Sequence, residues 1–550
     1  MLINKFFSIT VIFMIASSSL VEAQVPSNES PIDYGLRNQI MYIGNGAEPQ
    51  GLDPHIVTGV PEHHLLITMC EGLTSSNPKG GLPLPGMAES WEISDDGKTY
   101  IFNINPDAKW SNGDQVTAND FVWSWMRILT PTLGSQYPDM LYYLEGAQDF
   151  HQKKITDFDL VGVKALDELT LEVKLNNPTP FFLGLLSHYA TWPVHKDTVL
   201  KHGSIDDRRG KWTKEGNFVC NGPMNLKSWE INKKIVVEKN PLYWDADKVK
   251  LKEMHFYPVS NVTTEERMFR AGQLHTTSSL PSSKCPIYIK NKNPNLRIDP
   301  YMGTYFYRTN TLHPALKDKR VRKALAYAIN RKVIVEKVTK CGQIEAYSFT
   351  PPGSAGYEPG TEIPYDLQMA RQLLSEAGFK DGKNFPELEI LFNTNEDHKK
   401  IATVVQQMWQ VGLGIKVKLA NQDWKVYLDR ERSGDFEISR AGWIGDYEDP
   451  NTFLDTLRPN RGNNKTGWAN AEYDNLIEKA NSTADKNIRF DLLRKAENIL
   501  IDEMPIIPIY TYVRSYQLSA DVKGFDANYL DHHHPKYIYL ERDKINSEIN

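Results

Sequence analysis

Apolar and polar positions change rhythm along this chain, and the changes mark its elements. Residues 39–43 read as a first strand. Tyr100-Ile101-Phe102-Asn103-Ile104 alternates with the period of a half-buried strand. Ser94-Asp95-Asp96-Gly97 separates it from Trp91-Glu92-Ile93 and reads as a hairpin turn. Thr117 then has the position of a helix N-cap, with Asp120 placed to complete a capping box.

The C-terminal half is more regular. Helical spacing from Pro364 to Ala377 stops at Gly378, where a glycine C-cap belongs. Strands are expected at Leu388–Phe392, Ile415–Leu419 and Phe436–Ala441, with helices between them from Glu396 to Val411 and Trp424 to Glu431. Strands alternating with helices imply an α/β domain with a largely parallel sheet. Ligands of such sheets gather beyond the carboxyl ends of the strands, which places His398 and the run from Arg440 to Asp446 near one rim.

The N-terminus has a different character. Lys5 precedes an uncharged apolar or small-residue run from Phe6 to Leu20, followed by Val21-Glu22-Ala23. This is the pattern of a signal peptide over 1–23 cleaved before Gln24, and the run is shorter than the roughly 20 residues a spanning helix needs. The first cysteine is Cys70, so no lipid-modified N-terminus is expected and the protein is expected to be soluble in a periplasm.

Composition adds bounds. About 525 mature residues exceed one hydrophobic core, so two or three domains are expected. A mild net charge of −6 without a basic tract gives nucleic acid no foothold. The 12 Trp and 26 Tyr suit both a core and the lining of a large wet pocket. Cys70, Cys220, Cys285 and Cys341 form no CxxC or His/Cys ligand set; they could form up to two disulfides of unassigned pairing, or stay buried thiols. His63-His64 and His532-His533-His534 invite a metal reading, but consecutive histidines do not share one face, so no metal and no cofactor are expected. There is no G-x-S-x-G, H-E-x-x-H or P-loop, and Asp95-Asp96 reads as turn chemistry, so no catalytic residue is expected.

Several blocks carry a family resemblance: residues 88–125, 221-NGPMNLKSWE-230 with 239-KNPLYWD-245, 322-RKALAYAINR-331 with Thr350-Pro351-Pro352, and 436-FEISRAGWIGDYEDP-450. In this order they resemble the peptide/nickel/opine class of extracellular solute-binding proteins, nearest the periplasmic oligopeptide-binding proteins. The resemblance runs from Gly51-Leu52-Asp53-Pro54-His55 to Ile506-Ile507-Pro508-Ile509-Tyr510. It implies an α/β periplasmic binding protein-like fold of cluster C, with two lobes closing on a cleft by hinge motion and an extra domain. Mapped here, lobe one is 33–70, 197–301 and 514–550, the extra domain 71–196, and lobe two 302–513.

The resemblance also implies a peptide site. Asp446 would hold the α-ammonium, a buried carboxylate gaining its missing partner. Gly442, Trp443 and Ile444 would bond the peptide backbone by β-augmentation, with Thr58, Gly59 and Val60 on the other edge. Trp424, Tyr137, Tyr512 and Tyr305 would be walls, while His398 and Arg440 would meet the carboxylate of short peptides. Two departures stand out: a family cation expected within 325–331 is replaced by Ala326 or a neutral neighbour, and a family disulfide maps to Gly303 and Ile444. The implied function is a monomeric receptor delivering oligopeptides to the permease and ATPase of an ABC importer. Murein tripeptide and a metal or haem complex are the alternative ligands, and a signalling or adhesion role on the same fold is a further class.

Overall fold

The computed structural model describes residues 26 and 29–543. The expected leader at 1–23 lies outside the described residues. Ile40–Gly44 opens a four-stranded sheet, followed across it by Glu253–Tyr257, Lys234–Lys239 and Met224–Glu230. The first pair is parallel and the others antiparallel. A second four-stranded sheet, wholly antiparallel, contains Ala88–Ile93, Thr99–Ile104, Thr170–Lys174 and Val163–Ala165. The hairpin forms where the sequence placed it, with Gly97 at φ 68° and its N–H donating to Ser94 O at 2.8 Å. The helix Ala118–Leu129 begins with the expected box, the Thr117 N–H donating to the Asp120 carboxylate at 2.8 Å.

One apolar cluster joins these two sheets, with Trp110, Trp125 and Phe102 among its fully buried members. Within it, Arg127 grips Asp53 through two bonds of 2.9 and 2.6 Å. A bidentate pair this deeply buried holds its ions only because each satisfies the other. That is the structural work of the Gly51-Leu52-Asp53-Pro54-His55 segment.

The third sheet has six strands in the order Ile344–Glu345, Ile506–Gln517, Leu296–Thr309, Ile438–Ile444, Leu388–Asn393 and Val417–Gln422. Leu388–Asn393 runs parallel to both of its neighbours, as its strand–helix alternation requires. Leu296–Thr309 is antiparallel to both of its own neighbours. The sheet is therefore mixed, which corrects the expectation of a largely parallel one. Ile438–Ile444 and Ile506–Gln517, joined through the helices Ala471–Asn481 and Lys486–Glu503, run in the same sense, and Leu296–Thr309 lies between them in the opposite sense. The helices Leu367–Glu376, Glu396–Leu413 and Trp424–Ser433 are capped by Asp366, Asn395 and Asp423, and the last two end at Gly414 and Gly434 with positive φ. Apolar side chains fill both faces of this sheet.

Leu296–Thr309 and Ile506–Gln517 are long enough to serve two bodies. Their pairing shifts register between Pro300 and Thr304. On one side of the shift, Ser515 and Gln517 bond with Leu280 and Thr277 beside the first sheet; on the other, the strands form the centre of the six-stranded sheet. All four cysteines are paired, Cys70 with Cys220 and Cys285 with Cys341, at Cα separations of 5.4 and 5.5 Å. Among the described residues no helix is long and apolar enough to cross a membrane.

Candidate functional site

A cavity of about 970 Å³ lies between the two bodies. One wall carries Thr58, Gly59, Val60, Tyr137, His188 and Tyr189; the other carries Trp424, Arg440, Gly442, Trp443, Ile444, Asp446 and Tyr512. Of the expected site residues, all but His398 and Tyr305 line it. The two walls come from segments hundreds of residues apart, and only the fold brings them together.

The strand Ile438–Ile444 supplies an open edge. On one side it pairs with the whole stretch Gly303–Thr309. On the other, only Ile438 and Ser439 are paired, with Ile390 and Leu391. Arg440 to Ile444 therefore turn an unladdered edge to the cavity, which an extended chain can extend. Gly303 and Ile444, where the family disulfide maps, are register partners, and a Cβ on Gly303 would meet Ile444 Cδ1 at 2.3 Å. The aliphatic side chain occupies the space a cross-link would take.

At the end of this edge sits Asp446, 9% exposed. Its N–H donates to Thr452 Oγ1 at 2.9 Å, and His188 Nε2 lies 3.3 Å from its Oδ1. No lysine or arginine pairs with it among the described residues. Burial, and then the charge of Asp139, pushes its carboxyl well above the usual carboxylate range. The arrangement suits a cationic group that would arrive with the ligand.

Arg440 stands at the other end. Its guanidinium donates to Tyr512 Oη at 2.7 Å and to Asn393 Oδ1 at 3.2 Å, and lies 4.8 Å above the ring of Tyr305. Among the described residues no carboxylate pairs with it. Tyr305 is wholly buried and does not line the cavity, which corrects its expected place as a wall: it supports Arg440 from beneath. His398 packs 5.6 Å from the same ring, and burial, with the charge of Arg440, holds it far below the usual imidazole range. The expected basic pair is thus one cation and one neutral ring. Ala326 is also wholly buried, inside the helix Lys319–Tyr327, so its neutrality has no bearing on the cavity.

On the opposite wall Gly59 is required by space. A Cβ there would meet the Glu62 carboxylate at 2.1 Å and the Trp424 ring at 3.0 Å. Glu62 itself is pushed up to about 7 by burial, against a backbone bond from Gln50.

Sequence reasoning missed His188, and it missed that His63 and His532 meet. His188 was unremarked, yet it meets Asp446. His63 and His532 lie with ring centroids 4.5 Å apart on the same wall. The run of three diverges: His532 reaches Ser76, His533 reaches Asp531, and His534 faces Glu71. Among the described residues no group of three His, Cys, Asp or Glu side chains is arranged to hold a metal. Nothing in the spacing of positions 63, 188 and 532 signals their proximity.

Residues 83–465 match the model of bacterial extracellular solute-binding proteins, family 5 middle. The chain belongs to this family. The family 5 protein is 38% identical over 538 residues to the periplasmic oligopeptide-binding protein OppA of Salmonella typhimurium, covering 96% of each chain. Its structure matches Haemophilus influenzae OppA in complex with the peptide RPPGFSPFR at a TM-score of 0.87, with 36% identity over 92% of this chain and 99% of that one. The murein tripeptide-binding protein MppA of Escherichia coli also matches at 0.87, with 34% identity over 92% and 99%. The unliganded open form of MppA matches at only 0.63, at the same identity and over 92% and 98%. With identity equal and coverage nearly so, the difference lies in how the lobes sit. The family 5 protein has the two-lobed binding-protein fold in the closed arrangement, unlike that open form.

Proposed function

We propose that the family 5 protein is a periplasmic receptor that binds oligopeptides through their N-terminal amine and backbone and delivers them to an ABC importer. One observation carries the reading: a buried carboxylate, Asp446, to which no lysine or arginine is paired among the described residues, at the end of an unladdered strand edge inside an interlobe cleft. Gly442 to Ile444 would bond the peptide backbone from one side, with Gly59 and Val60 near its other edge. Trp424, Tyr137 and Tyr512 would wall it, and Arg440, with His398 behind, would meet the carboxylate. The relatives named as oligopeptide-binding support the ligand class.

The reading includes the division into lobe one (33–70, 197–301, 514–550), extra domain (71–196) and lobe two (302–513), a monomeric state, and export after removal of 1–23. It assigns the cleft no catalytic role. Titration calorimetry with tri- to penta-alanine, each also N-acetylated, tests it. Nanomolar to micromolar binding of the free-amine peptides and its loss on acetylation are expected; equal binding of both forms would sink the amine assignment.

A second ligand, murein tripeptide, has specific support in the equal match to MppA. It too presents a free amine and carboxylates. Competition between it and tri-alanine for the same protein ranks the two.

A further inference from the structure

His188 reaches Asp446 from the opposite wall of the cleft. It stands at the start of the turn Tyr189–Thr191, on the body built from the first apolar cluster. Its Nδ1 accepts from the Ala190 N–H. A neutral imidazole with one nitrogen accepting carries its proton on the other. The nitrogen 3.3 Å from Asp446 Oδ1 therefore carries the proton, close to the carboxylate but outside hydrogen-bond alignment with it. The ring is 3% exposed and held between Tyr189, at 4.0 Å between centroids, and Tyr137, at 4.9 Å.

The groups facing this pair come from several elements. Asp139 and the hydroxyls of Tyr137 and Tyr189 act on Asp446, and His63 and His532 lie toward His188. Burial, with His63 adding, keeps His188 far below the usual imidazole range, so it is neutral at physiological pH. Neutrality matters chemically. An imidazolium here would pair with Asp446 and compete with a ligand ammonium, whereas a neutral N–H orients the carboxylate and leaves its charge free.

Resting on the amine-binding reading of Asp446, we propose that His188 is a positioning residue that aims this carboxylate at the peptide amine when the lobes close. Asp446 follows the Ile438–Ile444 strand of the six-stranded sheet, and His188 belongs to the other body, so their contact exists only in the closed arrangement. A peptide would meet Asp446 first, and closure would then add the donor from the far side. Ligands lacking a free amine would gain nothing from that donor, which ties stable closure to the amine.

The test uses the mature protein and tri-alanine, with calorimetric Kd measured from pH 5 to 8 for wild type, His188→Gln and His188→Leu. Loss of a buried donor to a charge is expected to raise Kd about tenfold to a hundredfold in His188→Leu. His188→Gln keeps an N–H and is expected to recover most of that loss. The pH below which binding weakens is expected to move upward in His188→Leu, because Asp446 then ionises less readily. A purely structural role would not move that profile. An unchanged Kd and pH profile in His188→Leu, with Asp446→Asn still weakening binding, would overturn the inference and leave the amine reading standing. Equal affinity for tri-alanine and its N-acetyl form would overturn the reading itself. Histidine-selective nitrogen-15 NMR on wild type gives a check that needs no variant. A His188 Nε2–H signal that shifts on adding tri-alanine is expected, and an Nδ1–H tautomer would overturn the inference.

Discussion

In the closed cleft Asp446 carries a carboxyl that burial, reinforced by Asp139, raises well above the usual carboxylate range. A bound ammonium favours the ionised form, so binding lowers that pKa. The sign follows: below the raised value, peptide binding releases a proton and affinity climbs with pH, and above it affinity levels off. Calorimetry at pH 5 in buffers of different ionisation enthalpy should show this release, and Asp446→Asn should abolish it at a cost of about 2–5 kcal/mol. Arg440 makes the complementary case. Among the described residues its guanidinium donates to neutral partners, Tyr512 and Asn393. Arg440→Met should weaken tri-alanine by about 1.5–3 kcal/mol and leave a C-terminally amidated peptide almost unaffected, read as paired Kd values.

Among the elements, the strand Ile438–Ile444 depends on a residue without a side chain. A Cβ on Gly442 would sit 2.6 Å from Tyr512 Oη, the same hydroxyl that accepts from Arg440. Gly442→Ala should displace Tyr512 and cost about tenfold in peptide affinity, with a small change in melting temperature. A different device holds the Thr350-Pro351-Pro352 segment. Glu497 on the helix Lys486–Glu503 accepts from the Phe349 and Thr350 N–H groups at 2.9 and 2.8 Å and from Tyr357 Oη at 2.8 Å. Burial pushes Glu497 up to about 7 against these bonds. A carboxyl raised in the folded state stabilises it at low pH, and that contribution is lost as pH rises from the unfolded value through about 7. Glu497→Gln cannot titrate. Relative to it, wild type should lose about 3 kcal/mol of unfolding free energy between pH 4.5 and 7.5, measured by urea denaturation.

At the scale of the molecule, the two bodies are joined through the long strand pair that shifts register between Pro300 and Thr304, and they meet across the cleft through polar contacts and through Tyr447, stacked 5.2 Å from Phe181. Asn261 and Thr263 donate to Glu396 at 3.0 Å each, and Ser282 donates to Asp397 at 2.6 Å. Exposed or partly buried bonds of this kind close a cleft without locking it. The disulfides act elsewhere. Cys70–Cys220 closes a span of 150 residues within the first apolar cluster, and Cys285–Cys341 closes 56 residues beside the strand pair. Because a longer loop restricts the unfolded chain more, reduction of Cys70–Cys220 should cost more stability, about 2–4 kcal/mol. Denaturation of the Cys70→Ala/Cys220→Ala and Cys285→Ala/Cys341→Ala variants would rank them.

Local rules were readable in the sequence because they act within a few residues. The Ser94–Gly97 turn, the Thr117–Asp120 box and the helix end at Gly378, with φ 96°, are decided by backbone chemistry over one turn. The alternation of Leu388–Asn393, Val417–Gln422 and Ile438–Ile444 with helices settled their mutual parallel order. The motif around Gly442 to Asp446 marked one wall of the cleft. The rest depended on tertiary structure. Sheet order placed Leu296–Thr309 antiparallel beside the cleft strand, a pairing that no local pattern encodes. Burial made His398 neutral and put Tyr305 beneath Arg440 rather than in the wall. Chain folding set His188 against Asp446, 258 positions away by their numbers. Burial and cross-chain proximity determine protonation and partnership, and neither is a property of neighbouring residues in sequence.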